Sequence, residues 1–422
     1  QRAQNRQEEV ALQAEHQALH ALQKLMESIS EGISFVLMLF EERVADIFAQ
    51  LDEPSGQQFK ELTYERLFSQ PEGKDLAKLV VKAIVNRNIE SGSNVETVAD
   101  ALRRRCGSFC SPDDVVIFKA QEQLKRASEQ PLNTNMSRTL LHESLRLFEK
   151  VAGALSFSNL QNAVAQYVEL KYYAGAIQLC LVVAREKDRG NSALSWINDG
   201  RPASDPRAAI FDERHQCYGL IHRALQQLDV ASSNEPSTID GKLTLIATKR
   251  LEAYNVVNES DDEVFHFDLY EWYIEQGWTD RILSIESPHV ITFLQRLAEE
   301  NYEHAELLCR FYTNRSRFYD AADVQANLAN SDFDIGIKSR IRLLSLAKAN
   351  ANVTTMGVSR QAQQLLNHNV SELLEIANIQ DDLLERLRMD HRLTDRVHEV
   401  EQSLDGKILN LSDVSFPDMI CI

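Results

Sequence analysis

Glycine and proline are scarce in this sequence. The 422 residues include only 15 glycines and 9 prolines, whereas average usage is about 7% and 5%. Turn-rich β folds need many of both residues, and long helices tolerate few of either. Long stretches of alternating apolar and polar residues, the pattern of half-buried strands, are also missing. The composition therefore predicts an all-α protein.

Basic residues are outnumbered by acidic ones. Lys and Arg together number 45, Asp and Glu number 63, and the formal net charge is −18. A field of this sign repels phosphate backbones and anionic lipids. We therefore expect no direct nucleic-acid binding and no membrane contact through this part of the protein. The densest basic cluster, Arg103 to Arg105, ends a predicted helix, where cations complement the helix dipole.

Long hydrophobic runs are missing as well. The longest apolar block extends from Ile33 to Phe40, far short of the ~18 residues that a membrane span needs. We interpret this block as a helix buried on all sides. Cysteines are dispersed through apolar helical segments, which is typical of a reducing compartment. The sequence has no signal peptide, begins without methionine and ends in an apolar run, so we expect a piece of a larger protein.

Motifs that carry catalysis or cofactor binding are not found in the sequence. It has no Gly-rich phosphate loop, no GxSxG and no kinase signature. His16 and His20 have the i, i+4 spacing of a metal-binding pair, but no third ligand accompanies them. Cys106 and Cys110 could form half of a zinc site, but no second pair with suitable spacing follows. We predict no enzyme activity, no metal site and no cofactor.

Helix start signals recur along the chain. Ser93 and Glu96 have the spacing of a capping box. Ser111-Pro112 and Ser287-Pro288 each place a capping side chain before a proline at the first helical position. Short connections between the predicted helices favour antiparallel neighbours.

A weak repeat joins these helices. An aromatic residue at the start of a helix is followed three residues later by alanine, as in Tyr173/Ala176, Tyr302/Ala305 and Tyr319/Ala322. Alanine at this spacing lets a neighbouring helix approach closely, and hairpins that each bury one face against the next form a solenoid. We predict an irregular α-helical solenoid of stacked antiparallel helix hairpins over 1–422. An exposed loop at 190–206 separates possible sub-blocks 1–188 and 207–422.

Two aromatic pairs are candidates for recognition. Adjacent side chains on a helix diverge by about 100°, so Tyr172 and Tyr173 cannot both point into one seam. Tyr64 and Phe68 are four residues apart and form a stripe on a short polar helix. Exposed tyrosine favours peptide binding, whereas aromatic stripes on helices more often face a core. Both interpretations, peptide binding and packing between repeats, are open for these four residues.

Three segments together resemble a known family. They are LYEWYIEQGWTDRILSIESPHVITFLQR at 269–296, RFYDAADVQANLANSDFDIGIKSRIRLLSLAKANA at 317–351 and SRQAQQLLNHNVSELLEIANIQDDLLERL at 359–387. They look like the C-terminal α-solenoid of the large non-FG scaffold nucleoporin of the nuclear pore's inner ring. The resemblance is close over 262–404 and thinner, though collinear, before it. His289 departs from the family, since a tyrosine is expected after Ser-Pro, and the tail from Leu411 fits poorly.

The resemblance implies a function and a set of partners. Members of this family carry an N-terminal β-propeller, absent here, and form a structural scaffold at the nuclear envelope that supports nucleocytoplasmic transport. Their solenoid binds other nucleoporins, including a disordered linker segment of a GLFG-repeat nucleoporin. We place that peptide near Tyr64, Phe68, Tyr172 and Tyr173. A vesicle-coat or membrane-tethering solenoid is the alternative, and an enzyme with an unrecognised site is a remote one.

Overall fold

The structure, a computed structural model, describes 2–41, 44–48, 51, 53–90, 104, 107, 111–389 and 404–409. Its residues form two compact units, Gln1–Asp262 and Glu263–Ile422. The predicted fold class is confirmed, because the described part of each unit is built from helices that pack mainly against neighbours in sequence. None of the described helices combines the length and the apolar character that crossing a bilayer requires.

The first unit contains twelve described α-helices. They are α1 Arg2–Glu41, α2 Val44–Phe48, α3 Glu53–Lys60, α4 Tyr64–Ser69, α5 Pro71–Glu90, α6 Pro112–Ser128, α7 Asn135–Lys150, α8 Phe157–Glu169, α9 Tyr173–Lys187, α10 Ser192–Asn198, α11 Arg207–Ser233 and α12 Leu245–Asn258. One core joins α1, α4 and α5 through Phe35, Leu67 and Val80. A second region surrounds α9, which packs against α7, α8, α11 and α12.

Helix α9 is buried on most of its surface because its sequence is apolar on nearly every face. Its buried side chains include Ile177, Cys180 and Val183, each 0% exposed. The small residues Gly175 and Ala176 near its start are also buried, and small residues allow close approach of neighbouring helices. This explains how one helix contacts four others.

A buried ionic centre connects the end of α9 with α11 and with Asp262. The guanidinium of Arg214 donates to Asp188 at 2.9 Å and to Asp262 at 2.5 Å. The hydroxyl of Tyr218 also donates to Asp262, at 2.7 Å. The Asp188 carboxylate accepts, in addition, the backbone N–H groups of Ser192 and Ala193 at the start of α10. Each buried charge therefore has an opposite charge and further hydrogen bonds, as burial requires.

The second unit contains a run of helices that pack consecutively. They are α13 Glu263–Glu275, α14 Thr279–Ser284, α15 Pro288–Glu300, α16 Tyr302–Asn314, α17 Phe318–Ala329, α18 Ile337–Ala351 and α19 Arg360–Met389. Their core includes Ala322, Leu344 and Val370. The Gln380 amide, 1% exposed, donates to the carbonyl oxygens of Leu404 and Lys407 at 2.8 and 3.0 Å. This side chain holds 404–409 against α19.

Several local predictions are confirmed. The predicted cap at Ser111 is present at α6, where its side chain accepts the backbone N–H of Asp114; the Asp114 side chain in turn accepts the backbone N–H of Ser111. Ser287 caps α15 by accepting from the N–H of His289. The alanines of the aromatic–alanine repeat are buried, with Ala176, Ala305 and Ala322 exposed by at most 2%. The box predicted at Ser93 lies outside the described residues.

The block from Ile33 to Phe40 is not buried on all sides. Phe35 is 0% exposed, whereas Leu37 and Phe40 are 57% and 79% exposed. Only one face of α1 packs against α4 in this region. The apolar run therefore belongs to a helix that is buried on one side, and the prediction of burial on all sides is wrong.

The predicted loop at 190–206 contains α10, and the boundary between the compact units lies at 262/263. The division therefore differs from the sub-blocks 1–188 and 207–422, because α11 packs closely on α9. Beyond α11, a two-stranded antiparallel hairpin pairs Thr238–Ile239 with Lys242–Leu243. Its turn residues Asp240 and Gly241 both have positive φ, 51° and 74°, as a type I′ turn requires.

Candidate protein-binding surfaces

Tyr172 is half-buried at the start of α9 and is held by its neighbours. Its hydroxyl lies 2.8 Å from Nδ1 of His142, and its ring meets the Tyr167 ring edge-on at 5.5 Å. Burial, together with the negative charges of Glu149 and Glu252, raises the pKa of Tyr172 to about 12. The contacts connect α7, α8 and α9, so Tyr172 has a packing role.

Tyr173 belongs to the core of the first unit. Its side chain is 2% exposed, so its ring is not available to a peptide in this structure. Tyr172 is half-buried whereas Tyr173 is buried, so the ring that faces the core is that of Tyr173. Such burial is what packing between repeats, one of the two interpretations offered by the sequence, predicts.

Tyr64 lies in a different part of the first unit, on α4, which packs against α1 and α5. Its side chain is 59% exposed, which suits a partner contact. Helix α4 packs closely on Gly73 of α5, because a Cβ atom at residue 73 would lie 2.2 Å from the carbonyl oxygen of Arg66. Phe68 is on the same helix, but its side chain lies outside the described residues.

A groove that the sequence did not indicate lies between α8 and α11. It has a volume of about 300 Å³. Its floor consists of small and medium apolar side chains, and its edges are polar. The lining residues are Gln161, Val164, Ala165, Val168 and Glu169 of α8, and Leu220, Arg223, Ala224 and Gln227 of α11. The sequence signal would have been apolar residues of modest size at i, i+4 on two helices, Val164/Val168 and Leu220/Ala224, each flanked by glutamine.

The edge of this groove carries one charge of each sign. Glu169 and Arg223 are both exposed, and neither forms an ion pair within the described residues. Arg223 donates to the carbonyl oxygen of Gly219 on its own helix at 3.3 Å. The floor is well shielded, since Val164, Leu220 and Ala224 are 5%, 4% and 3% exposed. An apolar floor with polar edges is the usual composition of a recognition groove.

The second unit has an aromatic cluster of its own. The rings of Trp272 and Trp278 meet edge-on at 5.2 Å, and the guanidinium of Arg281 lies 4.3 Å from the centre of the Trp278 ring. His289, where the family resemblance predicted a tyrosine, stacks on His266 with ring centres 5.0 Å apart. An aromatic contact is therefore formed at this position by a ring smaller than tyrosine.

The His16/His20 pair, the first of the two spacings weighed as metal ligands, gains no further ligand within the described residues. His16 and His20 are exposed on α1, beside Leu19 and Met26 in a surface recess. Within the described residues no three His, Cys, Asp or Glu side chains lie close enough to hold a metal ion together. Cys106 and Cys110 lie outside those residues. The buried thiols are poor nucleophiles, since burial raises the pKa of Cys217 to about 11 and that of Cys309 to about 12.

Helices that pack in sequence, an exposed tyrosine and an apolar groove with polar edges define a helical binding scaffold. Comparison with known proteins identifies the scaffold. The non-repetitive/WGA-negative nucleoporin C-terminal family matches residues 1–417, and the chain belongs to this family. It is thus part of a nucleoporin, a protein of the nuclear pore complex in the nuclear envelope.

Curated relatives support the assignment along nearly the whole chain. Nucleoporin NUP170 of Chaetomium thermophilum is 70% identical over 410 residues, which are 97% of this chain and 29% of the relative. Nucleoporin NUP170 of Saccharomyces cerevisiae is 30% identical over 426 residues, with 96% of this chain and 28% of the relative covered. The chain therefore spans less than a third of the length of these relatives.

Solved structures confirm the helical solenoid fold. The crystal structure of Chaetomium thermophilum Nup170 SOL matches with a TM-score of 0.71 and 68% identity, covering 97% of this chain and 54% of that one. The crystal structure of the Chaetomium thermophilum Nup170 CTD–Nup145N complex matches with a TM-score of 0.66 and 65% identity, covering 73% of this chain and 60% of that one. That relative binds another nucleoporin.

Proposed function

We propose that this chain is a structural scaffold segment of the inner ring of the nuclear pore complex. It binds neighbouring nucleoporins and a short linear segment of a linker nucleoporin of the GLFG type, and it thereby supports nucleocytoplasmic transport. It acts by binding and not by catalysis.

One observation carries the proposal. A relative 65% identical over 73% of this chain was crystallised in complex with Nup145N. At this level of identity the two chains share most of their residues over the matched part. Exposed Tyr64 and the groove between α8 and α11 supply surfaces of the kind that short peptides use. The cost of ordering a disordered peptide limits the affinity per unit of area, so apolar anchors are needed.

Calorimetry with Chaetomium thermophilum Nup145N tests the partner. The full 422-residue chain is titrated at several temperatures, and we expect saturable binding with a negative heat-capacity change from buried apolar area. Absence of binding at micromolar concentrations would overturn the nucleoporin-partner part of the proposal.

The predicted contact at Tyr64 is tested in the same assay. Tyr64→Ala removes a ring that is 59% exposed, so it should leave the thermal midpoint of unfolding nearly unchanged. If Tyr64 touches the partner, the dissociation constant rises about fivefold or more, in the range of interface tyrosines. An unchanged constant would remove Tyr64 from the binding surface while leaving the partner itself in place.

The inner-ring position has a separate test in cells. A fluorescent fusion of the chain is expressed in fungal cells, and the isolated pores are cross-linked and analysed by mass spectrometry. We expect signal at the nuclear rim and cross-links to inner-ring nucleoporins. Signal on cytoplasmic vesicles with cross-links to coat proteins would favour the vesicle-coat function instead.

A further inference from the structure

We infer that residues 404–409, here named the strap, are an intramolecular ligand of the second unit. The strap occupies a peptide site formed by α18 and α19, and it leaves this site as one unit while both helices stay folded. This inference is independent of the proposed nucleoporin partners, because the ligand is a segment of the same chain.

The strap is attached to the helices through side chains. Among the described residues, no hydrogen bond joins the backbone of the strap to the backbone of a helix. Gln380 of α19, which is 1% exposed, makes three hydrogen bonds to the strap instead. Its amide nitrogen donates to the carbonyl oxygens of Leu404 and Lys407 at 2.8 and 3.0 Å, and its amide oxygen accepts the N–H of Leu409 at 3.0 Å. A segment held in this way can separate without breaking the hydrogen bonds of either helix.

A carboxylate of the strap supplies the cap that α18 lacks. Gly336 precedes this helix and has no side chain that could cap it, and Oδ1 of Asp405 accepts the N–H of Ile337 at 3.1 Å. Oδ2 of the same carboxylate accepts a hydrogen bond from Arg388 of α19 at 3.2 Å. The first N–H groups of a helix need acceptors and favour negative charge. The start of α18 and Arg388 therefore form a carboxylate site, which Asp405 fills.

Two aliphatic side chains anchor the strap. Leu404 and Ile408 are 8% and 6% exposed and belong to the apolar core of the second unit, so their burial favours the closed strap. Lys407 adds an ion pair with Asp332 at 2.7 Å, but both side chains are more than half exposed, and such a pair contributes little. Aliphatic anchors, one carboxylate contact and hydrogen bonds to the backbone are the features by which short peptides are recognised.

Amide hydrogen exchange of the full 422-residue chain tests whether the strap opens as one unit. Gln380→Met removes three hydrogen bonds to the strap and keeps an unbranched side chain. Mass spectrometry with single-amide fragmentation then measures the rates. We expect exchange to rise at least about tenfold at Leu409 and also at Ile337, whose N–H is bonded to Asp405 of the strap. Amides in the middle of α18 and α19 should keep their rates.

Gln363→Met is the matched control. Gln363 is on the same helix, and its amide donates to the carbonyl oxygens of Ala351 and Val353. Its replacement therefore disturbs the same pair of helices away from the strap. Exchange at Leu409 and Ile337 should stay within about twofold of the rates in the unmodified chain.

Three results with Gln380→Met would overturn the inference. They are unchanged exchange at Leu409, faster exchange at Leu409 without any change at Ile337, and faster exchange throughout α18 and α19. If Gln380→Met does not fold, Asp405→Ala replaces it, because that side chain is 42% exposed. The decisive amide is then Leu409, which is bonded to Gln380 and not to Asp405.

Binding of the strap sequence in trans tests whether the site is preformed. In the full chain, Leu404→Ser combined with Ile408→Ser removes both anchors and leaves the helices of the site unchanged. A synthetic peptide with the sequence of residues 402–411 should bind this variant in a fluorescence titration. It should bind the unmodified chain at least about tenfold more weakly, because the chain's own strap competes at a millimolar effective concentration. No binding to the variant at about 1 mM peptide, or equal binding to both chains, would overturn the inference.

Discussion

The ring of Tyr172 lies directly against Gly175, so that a Cβ atom at residue 175 would lie 2.0 Å from Cε1 of Tyr172. The ring cannot move away freely, because its hydroxyl is bonded to His142 and its edge packs on Tyr167. Glycine at the start of α9 is therefore a packing requirement, although glycine within a helix normally costs stability.

Gly175→Ala is expected to lower the free energy of unfolding by about 1–3 kcal/mol, since overpacking outweighs the gain in helix propensity. Urea unfolding followed by circular dichroism measures the change. Gly219→Ala on α11 is the matched control, because nothing lies within 4 Å of its added Cβ, and it should be neutral or slightly stabilising. Equal effects of the two substitutions would contradict the packing role of Tyr172.

Removing Arg214 is expected to have a much larger effect than removing a surface cation. Arg214→Met leaves the carboxylates of Asp188 and Asp262, both buried, without their positive partner, at a cost of about 3–5 kcal/mol. The control is Arg189→Met, which breaks an ion pair with Glu186 at a side chain 78% exposed and should cost about 0–1 kcal/mol. Thermal unfolding of both variants by calorimetry gives the comparison, and similar costs would exclude a structural role for the buried charge.

Gly73 allows α4 and α5 to approach each other at the backbone. An added Cβ would lie 2.2 Å from the carbonyl oxygen of Arg66 and 2.9 Å from Cα of Leu67, and backbone atoms cannot yield as a side-chain end can. Gly73→Ala should therefore raise the rate of amide hydrogen exchange in α4 and α5 and destabilise this region by about 1–3 kcal/mol. Gly153→Ala, whose nearest contact is 3.8 Å, should leave exchange unchanged, and a result in which both variants behave alike would rule out the backbone contact.

Stability should fall in strongly alkaline solution because several tyrosines are buried. Burial raises the pKa of Tyr172 and of Tyr270 to about 12, from the ordinary tyrosine value of 10.0. Between these values the unfolded chain releases the phenolic protons and the folded chain retains them, so rising pH favours unfolding. Their contribution is complete below pH 10 and is lost as the pH approaches 12.

Urea titrations between pH 8 and pH 11 measure this dependence. Tyr172→Phe should reduce the slope of unfolding free energy against pH above 10, and Tyr64→Phe, which changes a side chain 59% exposed, should leave it unchanged. An identical slope in all three proteins would show that these phenols do not contribute.

Much of the fold could be predicted from the sequence because helix signals are local. The cap at Ser111 is predicted from this serine and the proline that follows it, and the structure forms the hydrogen bond from the Asp114 N–H to the Ser111 side chain. The same is true of alanines such as Ala176, whose burial follows from helical spacing. The exposed face of α1 at Leu37 and Phe40 could not be predicted, because an apolar run in the sequence does not show how many other helices pack around it.

The candidate sites were harder to predict than the fold. Sequence spacing predicts that the side chains of Tyr172 and Tyr173 diverge, but only the packing around α9 decides that Tyr173 is the buried one. The groove depends on two helices that are far apart in sequence, with Gln161 on one and Gln227 on the other. No local sequence pattern predicts that α8 and α11 lie side by side, because their pairing is created by the arrangement of α8, α9 and α11.

The ionic centre also sets limits on how this protein can be divided into fragments. Asp262 closes the first unit and bonds to both Arg214 and Tyr218. A fragment that ends a few residues earlier would retain every described helix of that unit. The buried guanidinium of Arg214 would then pair with Asp188 alone, because Asp262 would be missing. We expect such a fragment to be poorly soluble when expressed. A fragment that includes residue 262 keeps both ion pairs of Arg214 and should fold as a compact unit.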